Sequence, residues 1–170
     1  MQFFNMKRII VIGCPGAGKT TFSKKLSAKT GIPVIHLDAL FWKDNWNIST
    51  KEEFDERLDT VLQQDCWIID GNYSRTLPQR LAKCDQVICL DYPRTLCFVS
   101  VLKRVLQNYG KSRSDMGGNC PERLDIPFLK YVWRFNKSQK PMVLECLNSS
   151  DIPIFVAKNR RQAASFLELL

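Results

Sequence analysis

The run Gly13-Cys14-Pro15-Gly16-Ala17-Gly18-Lys19-Thr20 constrains the folding of this chain more than any other stretch. Immediately before it stand Ile9-Ile10-Val11-Ile12, four β-branched residues in succession. Such a run reads as a strand buried on both faces, as strands of parallel sheets are. Immediately after it, Lys19 to Lys29 carries Phe22, Leu26 and Ala28 at helical intervals and stops at Gly31. A buried strand, a glycine-rich turn and a helix in that order commit the chain to an α/β layout.

The turn also has a chemistry. It fits G-x-x-x-x-G-K-[ST], in the required context of a preceding strand and a following helix. Gly13, Pro15, Gly16, Ala17 and Gly18 supply the backbone of a cradle, in which glycines let N–H groups turn inward around phosphate oxygens. The helix N-terminus at Lys19, Thr20 and Thr21 adds partial positive charge. Lys19 is expected to reach the β- and γ-phosphates, and the Thr20 hydroxyl to ligate Mg²⁺. The expected ligand is ATP with Mg²⁺. GTP is disfavoured because Ala157-Lys158-Asn159-Arg160 lacks the aspartate of the guanine-reading N-K-x-D pattern. Cys14 admits two readings: a thiol activated by the oriented amides, or a tolerated variable position.

The rest of the chain continues the alternation. Further strands are expected at 33–37, 67–69, 86–90 and 153–156. Helices are expected at 51–64, where Thr50 and Glu53 have capping-box spacing, around Leu96 to Leu106, from Phe128 onward, and near the C-terminus. Residues 39–48 read as a loop, and Gly110 to Pro121 as a mobile, Gly/Ser/Asn-rich loop. The pattern predicts one domain built on a five-stranded parallel sheet with helices on both faces. A chain of 170 residues suits a single core of this kind.

Acidic residues follow three of the strands: Asp38, Asp70 and Asp91. Ligands of open α/β sheets bind beyond the carboxyl ends of the strands, so all three can face the phosphate loop. Asp70 is the candidate water-mediated Mg²⁺ contact. Asp38 is the candidate to deprotonate or clamp an acceptor hydroxyl. A cap or turn role competes for each. Trp42 and Trp46 either form a stacking wall for an acceptor ring or pack over the 51–64 helix. His36 reads as a strand-end packing residue.

Charge and cysteine content bound the alternatives. Residues 103–140 hold nine basic residues against three acidic ones, in a chain of net charge +8. That suits a polyphosphate and would also suit nucleic acid. The seven cysteines are odd in number, lack C-x-x-C spacing and are accompanied by one histidine, which argues against zinc and for free thiols in a reducing compartment. No apolar run approaches the ~18 residues of a membrane span, and Met1 to Arg8 lacks a secretory layout, so a cytoplasmic protein is expected.

Asp70-Gly71-Asn72-Tyr73-Ser74-Arg75-Thr76-Leu77-Pro78-Gln79 resembles the D-G-F-P-R-T-x-x-Q segment of adenylate kinases and related nucleoside monophosphate kinases. The resemblance implies a P-loop NTPase fold of three α/β/α layers, with an acceptor-binding insertion at about 38–66 and a short lid at about 108–127. It implies that Arg75 grips the acceptor's phosphate and Gln79 reads its base, with Gly71, Asn72 and Tyr73 lining the pocket. It gives Arg104 and Arg134 the roles of catalytic arginines on the phosphates, makes Arg113 a further lid cation, and lays Asn159 and Arg160 against adenine. The implied activity is phosphoryl transfer from ATP to a nucleotide or other small acceptor. Over its whole length the chain also resembles the bacterial "DNA topology modulation" group, through His36-Leu37-Asp38, Trp42 to Trp46, Asp70 to Tyr73 and Trp133-Arg134-Phe135. That group label implies the alternative of an ATP-binding regulator acting on DNA. No helix-turn-helix or zinc module accompanies it. Oligomeric state is not legible.

Overall fold

The computed structural model describes residues 6–170. The reading of Met1 to Arg8 as lacking a secretory signal falls mainly on residues 1–5, outside the described ones.

The first strand, β1 (Arg8–Gly13), runs into the glycine turn, and α1 (Lys19–Thr30) follows. Next come β2 (Val34–His36), the short α2 (Leu37–Phe41), and a small hairpin of β3 (Trp42–Lys43) and β4 (Asn47–Ile48). They are followed by α3 (Lys51–Leu62), β5 (Trp67–Asp70), α4 (Leu77–Leu81) and β6 (Gln86–Leu90). The remainder is α5 (Arg94–Asn108), α6 (Ile126–Ser138), α7 (Lys140–Asn148), β7 (Ile154–Ala157) and α8 (Arg160–Glu168).

The five long strands lie in the order β2-β5-β1-β6-β7, and every pairing is parallel. Alternate residues of β1 serve opposite faces. Ile9 and Val11 pack with Phe22 and Leu26 of α1, Val101 of α5, Val132 of α6 and Phe166 of α8. Ile10 and Ile12 pack with Phe54 and Leu58 of α3, Leu77 of α4 and Val143 of α7. Ile9 to Ile12 are wholly buried. Each such side chain contributes roughly 1.5–3 kcal/mol, more than a typical surface ion pair, so the sandwiching of β1 dominates the architecture. The expected three-layer α/β/α sheet is therefore the observed one.

Local signals account for the element ends. Thr50 accepts from Glu53 N while Glu53 accepts from Thr50 N, the reciprocal cap that the spacing implies. Asp125 caps α6 by accepting from Phe128 N at 2.9 Å.

Four points need correction. Residues 39–48 are not an irregular loop: they form the end of α2 and the β3/β4 hairpin around a 3₁₀ turn, Asp44–Trp46. Leu37 begins α2 instead of ending the second strand. The two short helices α4 and α7 were not anticipated, although Val143 and Leu147 in α7 have helical spacing and Pro141 sits in its first turn, where proline is tolerated. The 110–121 loop is turn-rich as expected, but it is tied down. Asn119 N donates to Asp44 Oδ1 at 2.6 Å, Asn45 N to Asn119 O at 2.9 Å, and Trp46 Nε1 to Pro121 O at 3.0 Å. A Cβ on Gly117 would stand 2.2 Å from Ala39 O, so only glycine permits this close approach of the loop to the 39–44 backbone. Among the described residues no helix is long and apolar enough to cross a membrane.

Candidate functional site

Register brings the site together. Pairing of β2 with β5 sets His36 beside Asp70, and pairing of β1 with β5 sets Val11 beside Asp70. The carboxyl end of the sheet thus presents His36, Asp70 and the glycine turn on one rim. Over that rim opens a cleft of about 900 Å³.

At one end of the cleft lies the turn. Gly16 has φ +86°, and a Cβ there would stand 2.2 Å from Cys97 O, so α5 holds the loop at a distance only glycine allows. Pro15, Gly16, Gly18, Lys19, Thr20 and Thr21 line the cleft, while Ala17 is buried beneath it. Lys19 Nζ arches across the loop and donates to Gly13 O at 2.9 Å and Cys14 O at 3.4 Å. Gly13 is also held by the Asn72 amide, which accepts from Gly13 N at 3.1 Å and donates to Gly13 O at 2.9 Å. Asn72 therefore braces the loop as well as lining the cleft.

Thr20 and Asp70 meet in the cleft. Thr20 Oγ1 lies 2.9 Å from Asp70 Oδ2 and 3.2 Å from Asp115 Oδ2. His36 Nδ1 is 3.0 Å from Asp70 Oδ2. His36 is thus a cleft residue that orients Asp70, a role its strand-end position did not reveal. A hydroxyl beside a buried carboxylate at the foot of a phosphate cradle is a donor set suited to a hydrated Mg²⁺.

The segment between α5 and α6 closes over this end with its own charges. Glu122 is 4% exposed, and its Oε2 lies 3.1 Å from Arg104 Nε and 3.2 Å from Arg113 Nε. These contacts have ion-pair distances, but neither Arg104 Nε nor Glu122 Oε2 is aligned for a hydrogen bond. Glu122 Oε1 accepts from Arg104 at 3.1 Å, and Asp115 accepts from Arg113 at 3.1 Å. Burial and the neighbouring Arg113 lower the Arg104 guanidinium from its usual value, against the pull of Glu122. Both carboxylates stand where anionic oxygens of a polyphosphate would find their cations. Removing the Glu122 charge while keeping its shape frees Arg104 of its carboxylate partner and leaves Arg113 only Asp115. Glu122→Gln is expected to tighten ATP binding about tenfold, equivalent to about 1.4 kcal/mol. Calorimetric titration checks this, and unchanged or weaker binding would show that the carboxylate does not compete with phosphate.

Asp38, Phe41, Trp42, Trp46 and Tyr73 also line the cleft. Tyr73 OH donates to Asp38 Oδ1 at 2.7 Å. Burial and the adjacent carboxylate push the Tyr73 phenol up, so it remains a donor. Phe41, not the tryptophans, packs edge-on against Phe54 of α3 at 6.0 Å. Trp42 and Trp46 meet edge-on at 5.3 Å and face the cleft, with Arg123 lying 5.6 Å over the Trp46 ring.

Several expected site residues stand elsewhere. Arg75 forms a two-pronged pair with Asp55 of α3, at 2.6 and 2.9 Å, and Gln79 hydrogen-bonds Asp59 of the same helix. Neither lines the cleft. The cause is local: Tyr73 takes φ +36°, and the 3₁₀ turn Ser74–Thr76 then directs Arg75 toward α3. Arg134 is exposed on α6 and does not line the cleft. Asn159 caps α8 by accepting from Gln162 N at 3.0 Å, whereas Arg160 does line the cleft and donates to Ser100 Oγ at 3.0 Å. Asp91 lies off the main cleft, beside a smaller cavity of about 290 Å³, paired with Lys140 at 2.7 Å and Lys158 at 2.5 Å. Cys14 is buried, and its hydrogen bond with the Cys97 thiol together with burial pushes it up, the reverse of an activated thiol.

Strand order, layer arrangement and the glycine turn define a three-layer P-loop kinase fold. The model of the AAA domain family matches residues 9–111, more than half of the chain, and the chain belongs to that family. The adenylate kinase of Clavibacter michiganensis subsp. michiganensis is 31% identical over 109 residues, covering 62% of this chain and 53% of that protein. That of Thermosipho melanesiensis is 32% identical over 106 residues, covering 61% and 48%. The chain thus spans about half the length of the curated relatives it matches. Among solved structures, a shikimate kinase from Bacteroides thetaiotaomicron aligns with a TM-score of 0.56 at 18% identity, covering 97% of this chain and 96% of that one. Shikimate kinase from Acinetobacter baumannii in complex with shikimate aligns with a TM-score of 0.60 at 17% identity, covering 98% and 94%. At such identities the likeness shows the fold alone.

Proposed function

We propose that the protein is an ATP-dependent kinase that transfers the γ-phosphoryl group to a small-molecule acceptor. The observation that carries this reading is a cleft of about 900 Å³ lined together by the phosphate loop, Asp38 and several arginines. The loop amides, Lys19, Thr21, Arg104 and Arg160 hold the triphosphate. Thr20 and Asp70 would hold Mg²⁺, which when bound supplies positive charge against the phosphates. Lys19, Arg104 and Arg113 stabilise the charge on the transferring group, which is most of what a protein contributes to phosphoryl transfer. Asp38 receives the acceptor, as base or as clamp, with Tyr73 and Trp42 beside it. The adenylate kinases among the relatives support the class of reaction, and their names do not specify the acceptor here.

The alternative, an ATP-binding regulator acting on DNA, rests on the basic content of 103–140 and on the resemblance to the topology-modulation group. Arg104, Arg113 and Lys140 from that segment are engaged by Glu122, Asp115 and Asp91, which favours the kinase.

The test is ADP release from ATP and Mg²⁺ across a broad panel of nucleotides, nucleosides and small hydroxylated compounds. Acceptor-dependent release is expected. ATP binding with no acceptor stimulating release, together with salt-sensitive DNA binding, would replace this reading with the regulator.

A further inference from the structure

The geometry points to an acceptor that is a phosphate-free, hydroxyl-bearing flat-ring compound of the nucleoside class, not a nucleoside monophosphate. The inference rests on the kinase reading and narrows its acceptor.

A phosphate on the acceptor needs a cation to receive it, and the cations of this protein are arranged otherwise. Arg75 is held by Asp55, and Gln79 by Asp59, both on the α3 side and away from the cleft. Lys19, Arg104, Arg113 and Arg160 line the cleft, and the loop, Glu122, Asp115 and Ser100 hold them. Among the described residues lining the cleft, Arg123 is the remaining arginine, and it lies over Trp46. Two carboxylates line the same cleft: Asp125, which caps α6, and Asp38, which accepts from Tyr73. A phosphate drawn up beside Asp38 would meet a like charge. Arg123 is exposed, where an ion pair returns little.

The surroundings of Asp38 are well made for a hydroxyl on a ring. Asp38 has its Oδ1 fixed by Tyr73 at 2.7 Å, so the carboxylate is oriented before any acceptor arrives. Trp42 and Trp46 offer faces for a planar ring, with Phe41 backing Trp42 edge-on at 4.9 Å. In the step, the acceptor hydroxyl oxygen forms a bond to the γ-phosphorus of ATP and the bond from that phosphorus to the bridging oxygen breaks. ADP leaves with that electron pair, the hydroxyl proton passes to Asp38 and then to water, and the products are a phosphate monoester and ADP.

The experiment compares matched pairs on the full chain. Adenosine, cytidine, thymidine and guanosine are set against their 5′-monophosphates, by ADP release with ATP and Mg²⁺ and by calorimetric binding to the ADP-loaded protein. The expected result is at least tenfold higher kcat/KM, and tenfold tighter binding, for a phosphate-free member over its monophosphate. Asp38→Asn should lower kcat about 100-fold while leaving the Kd for ATP unchanged, and Arg75→Ala should leave the acceptor KM unchanged. Preference for a monophosphate in either assay, or a raised KM in Arg75→Ala, overturns the inference and leaves the kinase reading standing. Absence of ADP release with any acceptor overturns the kinase reading instead, while the binding comparison still decides the acceptor class.

Discussion

Lys19→Ala is expected to lower acceptor-dependent ADP release by about 10²- to 10³-fold, the usual effect of removing one preorganised charge from a developing anion. The chain should fold as before. Gly13 O accepts from Lys19 Nζ at 2.9 Å but also from the Asn72 amide at 2.9 Å, so the loop keeps a brace when the lysine is lost. Gly16, pressed against Cys97 O, holds its other side. A stability change within about 1 kcal/mol is therefore expected. Steady-state kinetics and thermal melting of the variant test both halves. Activity within tenfold of the parent would mean that Lys19 is a brace for the loop and not a phosphate ligand.

The largest stability effect is expected at Arg80. This arginine is wholly buried, and its hydrogen bonds run to backbone carbonyls: Gly71 O at 3.1 Å, Tyr73 O at 3.0 Å, Thr76 O at 3.4 Å, and Asn72 O. Burial pushes its guanidinium down to about 10, which still leaves it charged at neutral pH. The planar fork satisfies a turn whose Tyr73 holds φ +36°, a conformation that costs a non-glycine residue energy. Arg80→Leu keeps much of the volume but orphans those carbonyls, and a loss of about 3–5 kcal/mol is expected. Arg80→Lys should recover part of it, since one ammonium cannot reach every acceptor. Urea unfolding measures both. A loss under about 1 kcal/mol for the leucine variant would show that the turn holds without its guanidinium. Because Tyr73 carries the bond to Asp38, weaker acceptor binding should accompany the loss.

Arg80 also shows where sequence reading stops. Its partners are carbonyl oxygens, which every residue has, so no residue type announces them. Glu122 and Asp115 are hidden for another reason. As letters they lower the net charge of a basic segment. In space they face Arg104 and Arg113 at the phosphate end. Arg75 shows the opposite error. The resemblance to D-G-F-P-R-T-x-x-Q placed it on the acceptor, but this chain has an extra residue in the turn and Tyr73 in a left-handed conformation, and the arginine meets Asp55.

What the sequence determined by itself is the part governed by neighbours along the chain. The β-branched run before Gly13, the glycines at the turn, the Lys-Thr pair at the start of α1 and the Thr50–Glu53 cap are each readable because backbone geometry within a few residues demands them. The alternation of such units was enough for a parallel sheet between two helical layers. The tertiary structure alone decided which charges meet. Thr20 and Asp115 are 95 residues apart, Tyr73 and Asp38 are 35 apart, and Arg104 and Glu122 are 18 apart. Pairings of that kind depend on strand order and on how the 109–125 segment packs over the cleft, and those follow from the burial of whole faces, not from any short motif.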